Sequence, residues 1–242
     1  MMPMRIGTAG WGIPRASASS FPADGSTLQR YSACFDAVEI NSTFYRSHRP
    51  ATWARWREST PEGFRFALKL PRDVTHISRL SDCWERLDLF LAEASQLGDK
   101  LGPLLIQLPP SLAFEAQPAE AFFAGLRNRT AHPAACEPRH PSWFEPGADA
   151  LLDAHRVARV AADPARHPLA DVPGGWRGIE YWRLHGSPRM YFSAYGEPAL
   201  RKLAGRLLES PAEEVWCIFD NTALGAAAAN ALDLEAITEG PI

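Results

Sequence analysis

Two glutamates, a lysine, an arginine and a histidine stand at, or two residues before, the ends of short apolar runs in this chain, and these residue types move protons and hold anions. They are Glu39, Lys69, Glu137, Arg183 and His185. Glu39 and Glu137 can divide into acid and base where their surroundings split their pKa values, which makes either one a candidate general base. The structural alternative is that Lys69, Arg139 or Arg183 neutralises them in a buried ion network. Lys69 suits a Schiff-base nucleophile if its ammonium is desolvated, or a clamp for an anionic group. Its structural use would be a salt bridge to Glu39. Arg183 and His185 alternate on one run and so face the same way. An arginine there suits a bidentate grip on carboxylate or phosphate, and a histidine suits proton transfer.

Around these candidate catalytic residues (Glu39, Lys69, Glu137 and His185) stands a second set suited to substrate binding. It comprises Trp11, Asn41, Tyr45, His76, Gln107, Arg139, His140, Trp143, Arg183, Asp220 and Asn221. The aromatics could stack on a sugar or base, and with Arg139 and Lys69 they would fit a nucleotide or single-stranded nucleic acid. Packing of long loops against a rim is their structural alternative. A metal is a further option, since Glu39, Glu137, His140, Asp163, His185 and Asp220 are all ligand types. No HxH or HExxH spacing nominates a ligand set, however, and Lys69 and Arg183 oppose a dedicated cation site. The serines lack a GxSxG context, so serine hydrolysis is not expected.

Eight short apolar runs carry these residues: Arg5–Gly10, Val38–Asn41, Arg65–Lys69, Leu104–Gln107, Ala134–Glu137, Arg159–Asp163, Tyr181–His185 and Val215–Asp220. They begin about every 25 to 40 residues, the interval of one strand–helix unit. Helical patterns lie between them at Leu28–Cys34, Ala51–Ser59, Cys83–Leu97, Ala119–Arg127, Ala148–His155, Ala199–Leu208 and Ala223–Leu232. Pro50 and Pro198 mark helix starts, and Gly98 marks a stop. The Pro- and Gly-rich stretch 164–178 predicts little or no helix, hence an irregular sixth unit. This alternation predicts one α/β domain over residues 1–242, a (β/α)8 barrel of the TIM type; an open doubly wound sheet is the runner-up, but no GxGxxG follows the first strand. Seven of the eight runs end on a polar residue: Asn41, Lys69, Gln107, Glu137, Asp163, His185 and Asp220. The outer face of a parallel barrel must be apolar to meet its helices, so these ends are expected to point inward at the C-terminal mouth, where barrel enzymes keep their sites.

Several longer motifs are distinctive: Gly7-Thr8-Ala9-Gly10-Trp11, Glu39-Ile40-Asn41-Ser42-Thr43-Phe44-Tyr45, Phe66-Ala67-Leu68-Lys69-Leu70-Pro71, Thr75-His76, Gln107-Leu108-Pro109-Pro110, Glu137-Pro138-Arg139-His140-Pro141-Ser142-Trp143 and Arg183-Leu184-His185-Gly186. Together with the run from Leu97 to Pro103, they resemble, in order, the domain-of-unknown-function 72 (YecE-like) family. The resemblance implies a TIM barrel and no assigned activity. Two positions depart from the family's usual pattern. Its first loop usually reads Thr-Ser-Gly-Trp, where this chain has Ala9. Its last strand usually ends Phe-Asn-Asn, where Asp220 adds a carboxylate.

Composition bounds the remaining options. Of 242 residues, 46% are hydrophobic and 22% charged, enough apolar material for a sizeable core. The net charge of −3 offers no overall attraction to nucleic acid or anionic lipid. The four cysteines are widely spaced, without a CxxC pair, and read as small hydrophobes inside helix- or strand-like runs. No signal-peptide core or membrane-length apolar run is present, so the expectation is a cytoplasmic protein with no membrane partner. The first functional expectation is a hydrolase or lyase taking a small or nucleotide-like anion. Arg183, Lys69 and Arg139 would bind it, Glu39 or Glu137 would be the base, and His185 the acid. A binding protein for nucleic acid or a nucleotide, without chemistry, and a metal-dependent hydrolase stay open. No cofactor is nominated, and oligomeric state is not legible.

Overall fold

The computed structural model describes residues 2–240, and the expected unit over 1–242 reaches beyond them at both ends. The strands are β1 (Met4–Ala9), β2 (Ala37–Ile40), β3 (Arg65–Lys69), β4 (Leu101–Gln107), β5 (Ala134–Glu137), β6 (Val157–Arg159), β7 (Ala161–Asp163), β8 (Gly174–Gly175), β9 (Ile179–Leu184) and β10 (Glu214–Phe219). The α-helices are α1 (Thr27–Ser32), α2 (Pro50–Glu58), α3 (Trp84–Ala94), α4 (Ala116–Arg127), α5 (Pro146–Ala154), α6 (Glu197–Leu208) and α7 (Ala226–Glu239). None of the described helices is long and apolar enough to cross a membrane.

Strand order is β7-β9-β10-β1-β2-β3-β4-β5-β6-β8, parallel throughout except where β8 meets β6. The ends of this order are joined through the chain itself. The sixth expected strand is split at Val160: β6 pairs with β5, and β7 pairs with β9. Counting β6 and β7 as one position gives the eight of a TIM-type barrel, with the two-residue β8 laid against its rim. No α-helix forms between β7 and β9; Arg159 instead ties that stretch down by donating to the carbonyls of Leu169 and Val172.

Alternation along the strands separates two apolar layers. One side packs under the helices. The other fills the barrel with small residues (Ala37, Ala67, Ala135, Ala158) beside Leu105, Val160, Tyr181, Trp216 and Ile218. Tyr181 and Trp216 stack with ring centroids 6.0 Å apart and an interplanar angle of 6°. Arg5 covers Trp216 from the N-terminal end and pairs with Glu214 at 2.5 Å. The C-terminal end is thereby left to the polar residues.

Several boundaries differ from expectation. β4 starts three residues earlier than the apolar run suggested, and α4 begins at Ala116 with Pro118 inside its first turn, where a proline removes no helical hydrogen bond. α3 stops at Ala94 and tightens into a 3-10 turn, Ser95–Lys100, with Gly98 at φ 56°. α7 begins after Gly225 rather than at Ala223. All four cysteines are free thiols, but Cys34 and Cys83 flank helices instead of lying inside them.

The β1–β2 seam is tight. The Tyr31 hydroxyl donates to the Ala37 carbonyl at 2.9 Å and accepts from the Thr8 amide at 2.9 Å. A Cβ on Gly7 would lie 2.2 Å from that same carbonyl oxygen. Gly7→Ala is therefore expected to lower stability by about 1–3 kcal/mol in urea denaturation, as overpacking does. An unchanged midpoint would mean that this seam opens freely.

Candidate active site

The C-terminal mouth is assembled from strand ends. Glu39, Lys69, Gln107, Glu137 and Arg183 lie on β2, β3, β4, β5 and β9, and His185 and Asp220 follow β9 and β10 by one residue. The ladder continues through those two: the His185 amide donates to the Asp163 carbonyl at 2.7 Å, and the Asp220 amide to that of Leu184 at 2.8 Å. Backbone bonds thus hold both side chains where loop residues would otherwise wander.

Arg183, fully buried, is the hub. Its Nε and Nη2 grip both oxygens of Glu39 at 3.0 and 2.7 Å, its Nη1 donates to Glu137 Oε2 at 2.6 Å, and its Nη2 also reaches Asp220 Oδ2 at 3.1 Å. Tyr181 adds a hydroxyl donor to Glu39 at 2.9 Å. Glu137 Oε1 receives Arg139 at 2.6 Å and faces His185 Nε2 at 2.8 Å; the other ring nitrogen, Nδ1, faces Asp220 Oδ2 at 3.0 Å. His185 is thus bracketed by two carboxylates, with Tyr191 edge-on at 5.8 Å.

Electrostatics follow from this packing. Burial alone would raise the Glu137 carboxyl, but Arg183, Arg139 and His185 hold it well below the usual carboxylate range. Asp220 is balanced the same way, chiefly against Arg183, and is also lowered. Burial opposes the charge on Arg183, and Glu39, Glu137 and Asp220 outweigh it. Tyr181 is pushed well above its usual value by burial and then by Glu39.

Lys69 stands apart. Its Nζ lies 4.4 Å from the Phe44 ring centre, and among the described residues no carboxylate comes within 4.0 Å of it. The Lys69–Glu39 bridge, the structural alternative for Lys69, does not form, because Glu39 is already shared by Arg183 and Tyr181. Burial, then the nearby Arg183, lower the Lys69 ammonium to about 8. Beside it, burial, then Lys69 and Arg72, hold the His76 imidazole below its ordinary value. Among the candidate residues, Asn41 Oδ1, Arg139 Nε and Asn221 Oδ1 are also buried without a partner.

The remaining candidates divide. Gln107 pairs in register with Glu137 and is partly buried, and Tyr45 is 72% exposed on the turn after β2. Trp11 packs edge-on against Trp56 at 5.2 Å, and His76 bonds Thr75 at 2.9 Å and meets Phe44. His140 accepts from the Ser142 amide and so caps the turn Pro141–Phe144. Two expected substrate contacts are corrected outright. Trp143 is 1% exposed and donates to the Leu112 carbonyl, so it belongs to the core. Asn221 is fully buried, with its Nδ2 spent on the Ser193 carbonyl and Asn230 and its Oδ1 left without a partner. Asp163 also leaves the mouth: Ala158, Val160 and Ala162 carry the inward parity through the split strand, so Asp163 faces Tyr195, whose hydroxyl donates to it at 2.7 Å. Arg183 does not offer the expected anion clamp, since three carboxylates already occupy its guanidinium. Tyr181 went unnoticed as a site residue, although it shares parity with Arg183 and His185. Among the described residues no group of three or more His, Cys, Asp or Glu side chains is arranged to hold a metal ion.

Residues 5–240 match the family described as a protein of unknown function, DUF72. The chain belongs to the DUF72 family. Its similarity to UPF0759 protein YecE of Escherichia coli K12 is 33% identity over 138 residues, which is 56% of this chain and 50% of that protein. To UPF0759 protein YunF of Bacillus subtilis 168 it is 28% over 148 residues, 58% of this chain and 52% of the relative. The matched stretch thus spans about half the length of these curated relatives. A DUF72 family protein from Thermotoga maritima MSB8 superposes with a TM-score of 0.81 at 25% identity, covering 98% of this chain and 100% of that one. One from Enterococcus faecalis V583 does so at 0.81 and 22%, covering 99% and 96%. These DUF72 structures bear out the TIM-type fold, and the family's description assigns no activity.

Proposed function

We propose that this DUF72 protein is an enzyme of hydrolase or lyase type that takes a small anionic substrate at the C-terminal mouth of its barrel. The observation that carries the reading is Lys69: a partly buried cation in a mouth holding three carboxylates, none of which pairs with it. An unpaired, desolvated ammonium costs stability and attracts an anion. The unpartnered Asn41 Oδ1 and Arg139 Nε supply an acceptor and a donor for the same ligand. Proton transfer falls to His185, with Asp220 the more accessible of its two carboxylates. Glu39 and Glu137 serve by setting the positions and charges of Arg183, Arg139 and His185. The base role first considered for the glutamates passes to the His185–Asp220 pair.

Titration calorimetry with sulfate, a small oxyanion of constant charge over about pH 6–9, tests the reading. Binding is expected in the native protein and at least tenfold weaker in Lys69→Met, about 1.4 kcal/mol. Because the Lys69 ammonium is present below about 8 and lost above it, affinity should fall as pH rises through that value. Lys69→Arg should keep its affinity there. Equal binding by native protein and Lys69→Met would remove Lys69 from the site.

A further inference from the structure

The chain carries twenty-two arginines and three lysines, Lys69, Lys100 and Lys202. Where a fixed charge is needed it uses arginine, as at Arg5, Arg159 and Arg183. Two of the lysines have ordinary surroundings. Lys100 donates to the carbonyls of Arg57 and Thr60 at 2.5 and 2.6 Å, tying down the end of α2, and Lys202 is exposed on α6. The third is set at the end of β3, in the barrel mouth. An arginine there would hold an anion at least as well, and with two-pronged geometry. What lysine does and arginine does not is lose its proton and attack carbon.

The surroundings suit that use. The Phe44 ring covers one side of Nζ at 4.4 Å, and no carboxylate anchors it as a salt bridge would. The carboxylates of the mouth are instead committed to Arg183, Arg139, His185 and Tyr181. His185 is itself fully buried, with Nε2 facing Glu137 and Arg139 and Nδ1 facing Asp220, so a proton would pass between it and the ligand by way of Asp220, the more exposed of the two carboxylates. Burial and the like charge of Arg183 lower the ammonium to about 8, so that a share of free amine is present near neutral pH.

We infer that Lys69 forms an imine with the aldehyde or ketone carbon of a small anionic substrate, which makes the enzyme a lyase. The inference rests on the reading of the mouth as an anion-binding site. In the step, the Nζ lone pair forms a bond to the carbonyl carbon and the C=O π pair moves onto oxygen. Oxygen takes one proton, and nitrogen gives one up, to give a carbinolamine. A second proton on that oxygen lets the C–O bond break with loss of one water, leaving a positively charged C=N. That group draws in the electron pair of the Cα–Cβ bond, while the proton of the hydroxyl on the departing carbon passes to the His185–Asp220 pair, forming an enamine and releasing a carbonyl fragment. Reprotonation of the enamine carbon and addition of one water restore the product carbonyl and the lysine. No oxidant or reductant is consumed.

The test is reductive trapping of the whole protein with glyoxylate and cyanoborohydride near pH 7.5, reading each lysine by peptide mass spectrometry. Lys69 is expected to be modified at least about tenfold faster than Lys202, although Lys202 is the more exposed, because burial and Arg183 lower the Lys69 ammonium to about 8 and leave a substantial share of it as free amine near pH 7.5. Lys69→Arg should abolish that fast adduct while leaving sulfate binding intact. Modification of Lys69 no faster than Lys202 overturns the imine. If sulfate binding still depends on position 69 in that case, the anion site stands without covalent chemistry; if it does not, both readings fall. Fast trapping that sulfate neither slows nor competes with would keep the nucleophile and remove the anion site.

Discussion

Arg183→Met is expected to destabilise the protein by about 3–5 kcal/mol, the largest loss of any single substitution in the mouth. Methionine fills much of the same volume, so the loss is electrostatic rather than a cavity. Glu39 loses a two-pronged donor and keeps only Tyr181, while Glu137 keeps Arg139 but loses its 2.6 Å bond to Arg183. Both carboxylates are buried, and a buried charge without its partner is the costly case. The pH dependence supplies a second, independent readout. In the native protein Glu137 and Asp220 are held below their ordinary values, so their contribution is full above those values and is lost as pH falls through the lowered ones. In Arg183→Met the burial of Glu137 is opposed by fewer cations, so its folded-state value rises. Native stability should therefore decline toward low pH, whereas the deficit of the variant should shrink there as its buried carboxylates take up protons. Urea titrations of both proteins near pH 4 and pH 8 would measure this. A deficit that is equal at the two pH values would mean that packing, not charge, is what Arg183 supplies.

That role stood in the amino-acid order only as one of two alternatives, a buried ion network against a free acid–base pair, though the location was legible. Polar residues closing successive apolar runs can be tolerated in a parallel barrel only at its mouth, so Glu39, Lys69, Glu137, His185 and Asp220 were legible as neighbours before any contact was known. Which carboxylate holds which cation depends on distances of a few ångströms between strands far apart in the chain, and spacing carries none of that. Arg183 consequently reads equally as an anion clamp or as the partner of a glutamate, and Glu39 as a base or as a neutralised carboxylate; the contacts favour the second of each. The sixth unit shows a different kind of failure. Arg159–Asp163 reads as one strand with a polar end, yet it divides at Val160 to bridge β5 and β9, and parity then turns Asp163 toward Tyr195. That parity was available in Ala158, Val160 and Ala162. Trp143 and Asn221 differ for a simpler reason: they follow β5 and β10 at mouth level, and only tertiary contacts show that both side chains are buried, with Trp143 Nε1 and Asn221 Nδ2 spent inside the protein.

Lys69→Met should do the opposite of Arg183→Met to stability while doing the most damage to function. The ammonium of Lys69 is less favoured in the folded protein than in water, its value falling from the ordinary 10.5 to about 8. The sign follows directly. A cation with a lowered folded-state value costs stability below that value, where both states are protonated on Lys69, and the cost fades as pH rises through about 8 and toward 10.5. Removing the charge should therefore raise stability at neutral pH by about 1–3 kcal/mol, with the gain fading above pH 8. Turnover, once a carbonyl substrate is in hand, should fall by at least about a thousandfold, since no neighbouring group can replace the nucleophile. Lys69→Arg separates charge from chemistry: it should recover anion binding and lose turnover as completely as Lys69→Met. A more stable but inactive protein is the behaviour of a site built for work at the expense of the fold. A less stable Lys69→Met would instead show that Lys69 neutralises Glu39, Glu137 and Asp220 across the mouth, and would return it to the structural network that Arg183 anchors.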